Sequence, residues 1–224
     1  MSRLILFDVN ETLLDLRGLS PHFARIFGDA AVMSAWFSQV LRSSMVATIT
    51  GPYHDFGVIA ADALEMVARR HQLDLSAEDR AAILQGMRNL PSHPEVPASL
   101  ARLKAAGLRL ATLTNSPPPV QHEQLTNAGL LDFFEQTLSV DAVRRFKPAR
   151  EVYAHAAEQL RLPLSDIRMV AAHDWDIAGA MRAGCAGAFV ARPGMVLSPL
   201  QEPPDIIGPD MSVVVDQILA KELG

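Results

Sequence analysis

Four separated stretches of this 224-residue chain end an apolar run, or a short segment, in side chains able to do chemistry. Leu4-Ile5-Leu6-Phe7 runs into Asp8, followed by Val9, Asn10, Glu11 and Thr12. Leu113 runs into Thr114-Asn115-Ser116, and Val170 into Ala171-Ala172-His173-Asp174-Trp175-Asp176. Lys147 stands before Pro148. A carboxylate kept ionised by a lysine can attack carbon or phosphorus, and a second carboxylate nearby completes a set suited to covalent catalysis. On the first stretch alone, Asp8 reads equally well as a nucleophile or as the cap of a turn.

What could bring these residues together is a parallel sheet. A short apolar run ending in polar residues is the pattern of a strand buried on both faces. Open α/β sheets bind ligands at the carboxyl ends of their strands, so the four polar ends converge on one rim. From Pro97 onwards the pattern alternates, with strands expected at 108–114, 137–140, 167–172 and 188–191. Helices are expected at 98–106, 120–128, 151–160, 177–183 and 213–223. Between the first strand and Pro97 the periodicity is helical throughout, as in Val32, Trp36, Val40, Leu41 and Met45, and it ends at Pro91, Pro94 and Pro97. The expected architecture is α/β: a core of residues 1–14 plus 96–224, with a helical subdomain of residues 15–95 inserted after the first strand.

Composition narrows the function. Hydrophobic residues make up 49% and charged residues 20%, enough for a full core. A net charge of -5 gives no general attraction to nucleic acid or anionic lipid. No apolar run approaches the ~20 residues of a membrane span, and the N-terminus has no signal-peptide pattern. The single Cys185 excludes an internal disulfide and a cysteine-based metal cluster. A soluble cytoplasmic protein is expected, with neither nucleic acid nor membrane as partner.

Taken in order, Asp8-x-Asn10-x-Thr12, Leu113-Thr114-Asn115, Lys147-Pro148 and Asp176-Ile177-x-Gly179-Ala180 resemble the four motifs of the haloacid dehalogenase superfamily. The helical insert with Trp36, Tyr53-x-x-Phe56 and Ala63-Leu64 is more narrowly similar to the type II (S)-2-haloacid dehalogenases. So are Ser139-Val140-Asp141 and Lys147-Pro148-x-x-x-x-Tyr153. The resemblance implies a Rossmann-like parallel sheet with a helical cap. It also implies hydrolysis of short 2-haloacids to 2-hydroxyacids through an ester at Asp8, with no metal and no organic cofactor. In that scheme Lys147 keeps Asp8 ionised, and Thr12 belongs to the catalytic group. Thr114 and the backbone N–H groups after Asp8, at Val9 and Asn10, hold the substrate carboxylate. Tyr153 and Asp176 support Lys147 and the water, while Asn115 and Trp175 line the place where halide leaves. A homodimer is compatible with the resemblance, though no stretch of the sequence establishes one.

The departures matter as much. Magnesium phosphatases of the superfamily carry an acid where this chain has Asn10, and an amide cannot donate a proton as an acid does. They also carry a metal-binding aspartate where this chain has Ala171. A phosphatase with an atypical magnesium site, or a relative that binds a carboxylate without turnover, stand as the alternatives. The dehalogenase pattern has an arginine after the tryptophan, pointing at the leaving halide; here it is Phe37. Arg42, roughly 140° further round a helix, is a poor substitute. Ala171 and His173 replace a serine and an asparagine, so His173 is a candidate base for water or donor to halide. Among bland readings, Asp176 caps a helix beginning at Ile177, and Trp175 simply packs. The remaining histidines, His93 among them, read as surface or structural.

Overall fold

A computed structural model of the chain describes residues 4–223. Among these residues six strands form one sheet in the order β3-β2-β1-β4-β5-β6, every neighbouring pair parallel. They are β1 Leu4–Phe7, β2 Arg109–Thr114, β3 Gln136–Ser139, β4 Ile167–Ala171, β5 Ala186–Val190 and β6 Ile206–Gly208. β1 is central, with Phe7 level with Thr112 on one side and Val170 on the other. All four of its residues are buried, as an all-apolar strand covered on both faces must be.

Between β1 and β2 the chain is helical: α1 Ser20–Phe27, α2 Val32–Thr50, α3 Phe56–Arg70 and α4 Ala77–Gly86, then α5 Val96–Ala105. Asp55 caps α3 through bonds from Gly57 and Val58, and Ser76 caps α4 through Asp79. Trp36, fully buried, packs at a tilt against Phe23 and donates its indole N–H to the Ala60 carbonyl, tying α2 to α1 and α3. The return to the core is marked by a bridge between Leu14 and Ser92 and by a bond from His93 N to Leu13 O.

Past β2 come α6 Pro118–Asn127, α7 Arg150–Leu160, α8 Asp174–Ala183 and α9 Met211–Leu223. Two differences from the sequence pattern are informative. β6 was not expected, because three residues next to a proline-containing loop carry no periodicity. The helix expected from Ile177 begins at Asp174, so Asp176 lies inside its first turn and His173 takes the cap position. Aspartates in a first helical turn sit well in the helix dipole, which favours the earlier start.

α8 packs against α7 with no spare room. A Cβ at Gly179 would lie 2.5 Å from Pro148 Cβ, 2.8 Å from the Tyr153 hydroxyl and 2.9 Å from the Pro148 carbonyl. Gly179→Ala is therefore expected to destabilise the chain by about 1–3 kcal/mol, read as a lower urea midpoint with an unchanged slope.

Candidate active site

The turn that ends β1 is the floor of the site. Thr12 Oγ1 donates to Asp8 Oδ2 at 2.7 Å and accepts from the backbone N–H of Ala172 at 2.9 Å, so one hydroxyl joins the ends of β1 and β4. Lys147 Nζ donates to Asp8 Oδ1 at 2.9 Å and to Asp176 Oδ2 at 2.7 Å. Tyr153 donates to the other oxygen of Asp176 at 2.6 Å. Asn115 Oδ1 accepts from the Lys147 backbone N–H at 3.1 Å, fixing the loop that carries the lysine. The side chains of Lys147 and Asp176 are fully inaccessible, and that of Asp8 is 8% exposed.

His173 lies across Asp8 from the lysine. Its Nδ1 is 3.3 Å from Asp8 Oδ2, an ion-pair contact not aligned as a hydrogen bond, and Nε2 is 2.8 Å from Glu11 Oε2. The ring stacks on Trp175 at 4.8 Å between centroids and faces Phe37 at 6.4 Å. Beside it opens a cavity of about 390 Å³ lined by Glu11, Phe37, His173, Arg192 and Met195 among others. Asp8 is not itself on the cavity wall; Glu11 and His173 stand there.

Other expected residues are brought close but engaged otherwise. Asn10 donates to Ser116 Oγ and accepts from Gln124 Nε2, so both ends of its amide are held within the core. Thr114 Oγ1 accepts from Ser116 N–H, and the Val9 side chain is fully buried. Arg42 is bonded to Gln39, which also accepts from Arg70.

A family model described as haloacid dehalogenase-like hydrolase matches residues 2–184. The chain belongs to this family. It is 34% identical to the (S)-2-haloacid dehalogenase of Pseudomonas sp. (strain YL), over 90% of this chain and 88% of that one. The L-2-haloacid dehalogenase of Xanthobacter autotrophicus superposes with a TM-score of 0.92 at 26% identity, covering 99% of each chain. A second structure of that enzyme, with chloropropionic acid covalently bound, gives 0.91 at 25% identity and covers 99% of each chain.

Within this haloacid dehalogenase-like hydrolase the charges decide the protonation states. Burial alone would raise the Asp8 pKa, but Lys147 and His173 outweigh it and hold the carboxyl well below its ordinary range. Burial opposes the charge on Lys147 too, and Asp176 with Asp8 reverses that, so the ammonium is held. Asp176 is pushed upward, first by burial and then by the Asp8 charge, against the pull of Lys147. For His173 burial favours the neutral ring, yet the contacts with Asp8 and Glu11 raise its pKa from 6.5 to about 10.

The residues do not suit a magnesium ion. Lys147 Nζ already bridges the two carboxylates, and Asn10 and Ala171 offer no acid. Among the described residues no group of three or more His, Cys, Asp or Glu side chains is arranged to hold a metal.

Two residues of this site were not singled out from the sequence. Glu11 reaches His173 only because its backbone is left-handed, φ +64°, and nothing in its type signals that. Arg192 follows β5, donates to the Thr12 carbonyl at 2.9 Å and pairs with Glu95. An arginine just past a strand end was the one available signal.

The His173 shift has a consequence for stability. Between pH 6.5 and about 10 the folded chain holds a proton at His173 that the unfolded chain releases. Stability from this group is complete below pH 6.5 and is lost as the pH rises towards 10, by up to about 1.4 kcal/mol per pH unit. Urea unfolding from pH 6 to 10 is expected to show that decline in the wild type, and His173→Asn to flatten it.

Proposed function

We propose that this protein hydrolyses the carbon–halogen bond of short 2-haloacids, giving 2-hydroxyacids through an ester at Asp8. The single observation that carries the reading is the buried Lys147 ammonium shared by Asp8 and Asp176. It leaves Asp8 ionised, partly desolvated and fixed by three contacts, as a carboxylate that attacks carbon must be. The covalent chloropropionate in a structurally similar enzyme supports the same step.

Asp8 displaces halide from the α-carbon, inverting it. Water then attacks the ester carbonyl, releasing the hydroxyacid and restoring Asp8. Thr12 orients the nucleophile, and Asp176 with Tyr153 holds the lysine. Thr114 and the N–H groups after Asp8 receive the substrate carboxylate. Phe37, Trp175 and His173 form the halide side: aromatic ring edges are weakly positive, and the imidazolium supplies a full charge where the relatives' pattern has an arginine. Residues 15–95 act as a cap over the core of 1–14 plus 96–224, excluding water during the first step. The phosphatase alternative loses ground on Asn10, an amide that cannot donate a proton as an acid does and that is bonded to Ser116 and Gln124.

Halide release from (S)-2-chloropropionate in excess chelator is the direct test. The wild type is expected to release chloride and Asp8→Asn to lose at least about 10³-fold in rate, the scale set by removing a nucleophile. Magnesium-dependent phosphate release from p-nitrophenyl phosphate, with no chloride from the haloacid, would overturn the reading.

A further inference from the structure

Glu11 occupies a costly position. It is one of four non-glycine residues with positive φ among the described residues, and it lies three residues after the nucleophile. Glycine would adopt that conformation freely, whereas a side chain there costs about 1–2 kcal/mol. The turn is pinned all the same: His93 Nε2 lies 3.2 Å from the Glu11 carbonyl, and Arg192 donates to the next one. A conformation held against its own preference at a site is where a functional side chain is to be sought. The Glu11 carboxylate goes to one partner, His173 Nε2, at 2.8 Å.

That contact decides which nitrogen His173 presents to the nucleophile. With Nε2 on Glu11, Nδ1 is left facing Asp8 at 3.3 Å, buried and, among the described residues, with no hydrogen-bond partner. The other candidate base is poorly placed. Both oxygens of Asp176 are taken, one by Lys147 and one by Tyr153, and its side chain is wholly inaccessible. His173 touches both the nucleophile and the cavity. A nucleophile, a base within reach of it and a third group orienting the base are the parts of a catalytic triad.

We propose that Asp8, His173 and Glu11 form such a triad, with His173 as base for the hydrolytic water and Glu11 as the positioning residue that holds it. The proposal rests on the ester reading given above. In the resting site the imidazolium lies between two carboxylates. Alkylation of Asp8 removes one of those charges, and once the halide has left and solvent enters, His173 gives up its proton. Its Nδ1 lone pair then takes a proton from water while the water oxygen bonds to Cγ of Asp8. The carbonyl electron pair moves onto oxygen and returns as the Cγ–O bond to the substrate breaks. The departing alkoxide takes the proton from Nδ1 and leaves as the 2-hydroxyacid. Asp8, left as the acid, passes its proton back to His173. The sum is haloacid plus water giving hydroxyacid, halide and one proton.

The charged groups around His173 are Asp8 and Glu11 in contact, and Asp174 and Asp176 on its own helix. Lys147 stands behind Asp8, and Arg192, His93 and the Asp15–Arg17 pair line the same cavity. Removing the Glu11 charge alone therefore changes a specific balance. The full-length wild type, Glu11→Gln, Glu11→Gly and His173→Asn are to be mixed with (S)-2-chloropropionate, with quenched-flow chloride release and intact-protein mass recorded. Because His173 also stands on the halide side, His173→Asn is expected to slow the first chloride release as well; the two Glu11 variants are expected to release a first equivalent of chloride at close to the wild-type rate. They should then turn over about 10²-fold or more slowly while the mass of the ester accumulates on Asp8. A wild-type steady-state rate, or loss of the first equivalent, in either Glu11 variant overturns the proposal. Glu11→Gly relaxes the turn, so a folding defect confined to Glu11→Gln does not mask the result. Nitrogen-15 NMR of the His173 ring in the substrate-free protein provides a second readout. Its titration midpoint is expected to fall by about one unit or more in Glu11→Gln. An unmoved midpoint overturns the pairing. A wild type that releases no chloride sinks the dehalogenation reading instead, and the NMR arm still decides for or against Glu11.

Discussion

The structure depends on one buried cation. Lys147 is fully enclosed and its ammonium lies between Asp8 and Asp176, themselves buried. Enclosing three charges is expensive in desolvation and is tolerated only when geometry and hydrogen bonding are good. Here the geometry comes from four places at once: the end of β1, the loop before α7, the first turn of α8 and the Tyr153 hydroxyl. None of these can shift without leaving a charge unpaired, a loss typically of about 3–5 kcal/mol. The cost of enclosure thus becomes a constraint on register, and the same constraint fixes the Asp8 carboxylate.

The parts of the fold that obey this constraint are the parts that could be read in the sequence. An apolar run ending in Asp8, a lysine before a proline and Asp176 at a strand–helix junction are local patterns, and parallel alternation places them on one rim. The helical stretch between β1 and β2 was legible from its three- and four-residue spacings and from the prolines that close it. What could not be read lies in backbone conformation and in long-range pairing. Glu11 looks like any polar loop residue until its φ of +64° turns the carboxylate towards His173. Arg192 lies 180 residues from the carbonyl it holds. Asn10 stood out as the missing acid, yet its bonds to Ser116 and to Gln124 of α6 show that the amide braces the turn after β1 against the segment after β2.

Phe37, at the position where the dehalogenase resemblance implies an arginine, takes on a different meaning in this setting. A cation on the inserted helices would approach the halide from above, and Phe37 makes that wall apolar, packed against Trp36 and Phe56. Positive charge is present instead on the core side, at His173 and Arg192, both buried and both lining the same cavity. Anion stabilisation depends on the sign and preorganisation of the field, not on which layer supplies it. A charge anchored to the sheet rim is also independent of how the helical layer is seated.

In the proposed reaction the two substitutions are one change rather than two. An asparagine at position 173 could donate to an anion but could not accept a proton from water, whereas a histidine can do both in turn. While Asp8 is ionised, two carboxylates keep the ring charged, which suits a departing halide. Once Asp8 is an ester, one of those carboxylates is gone and the ring is free to act as a base. In the proposed reaction the same side chain is therefore set by the state of Asp8 to the task each half requires, with Glu11 keeping it within reach of both.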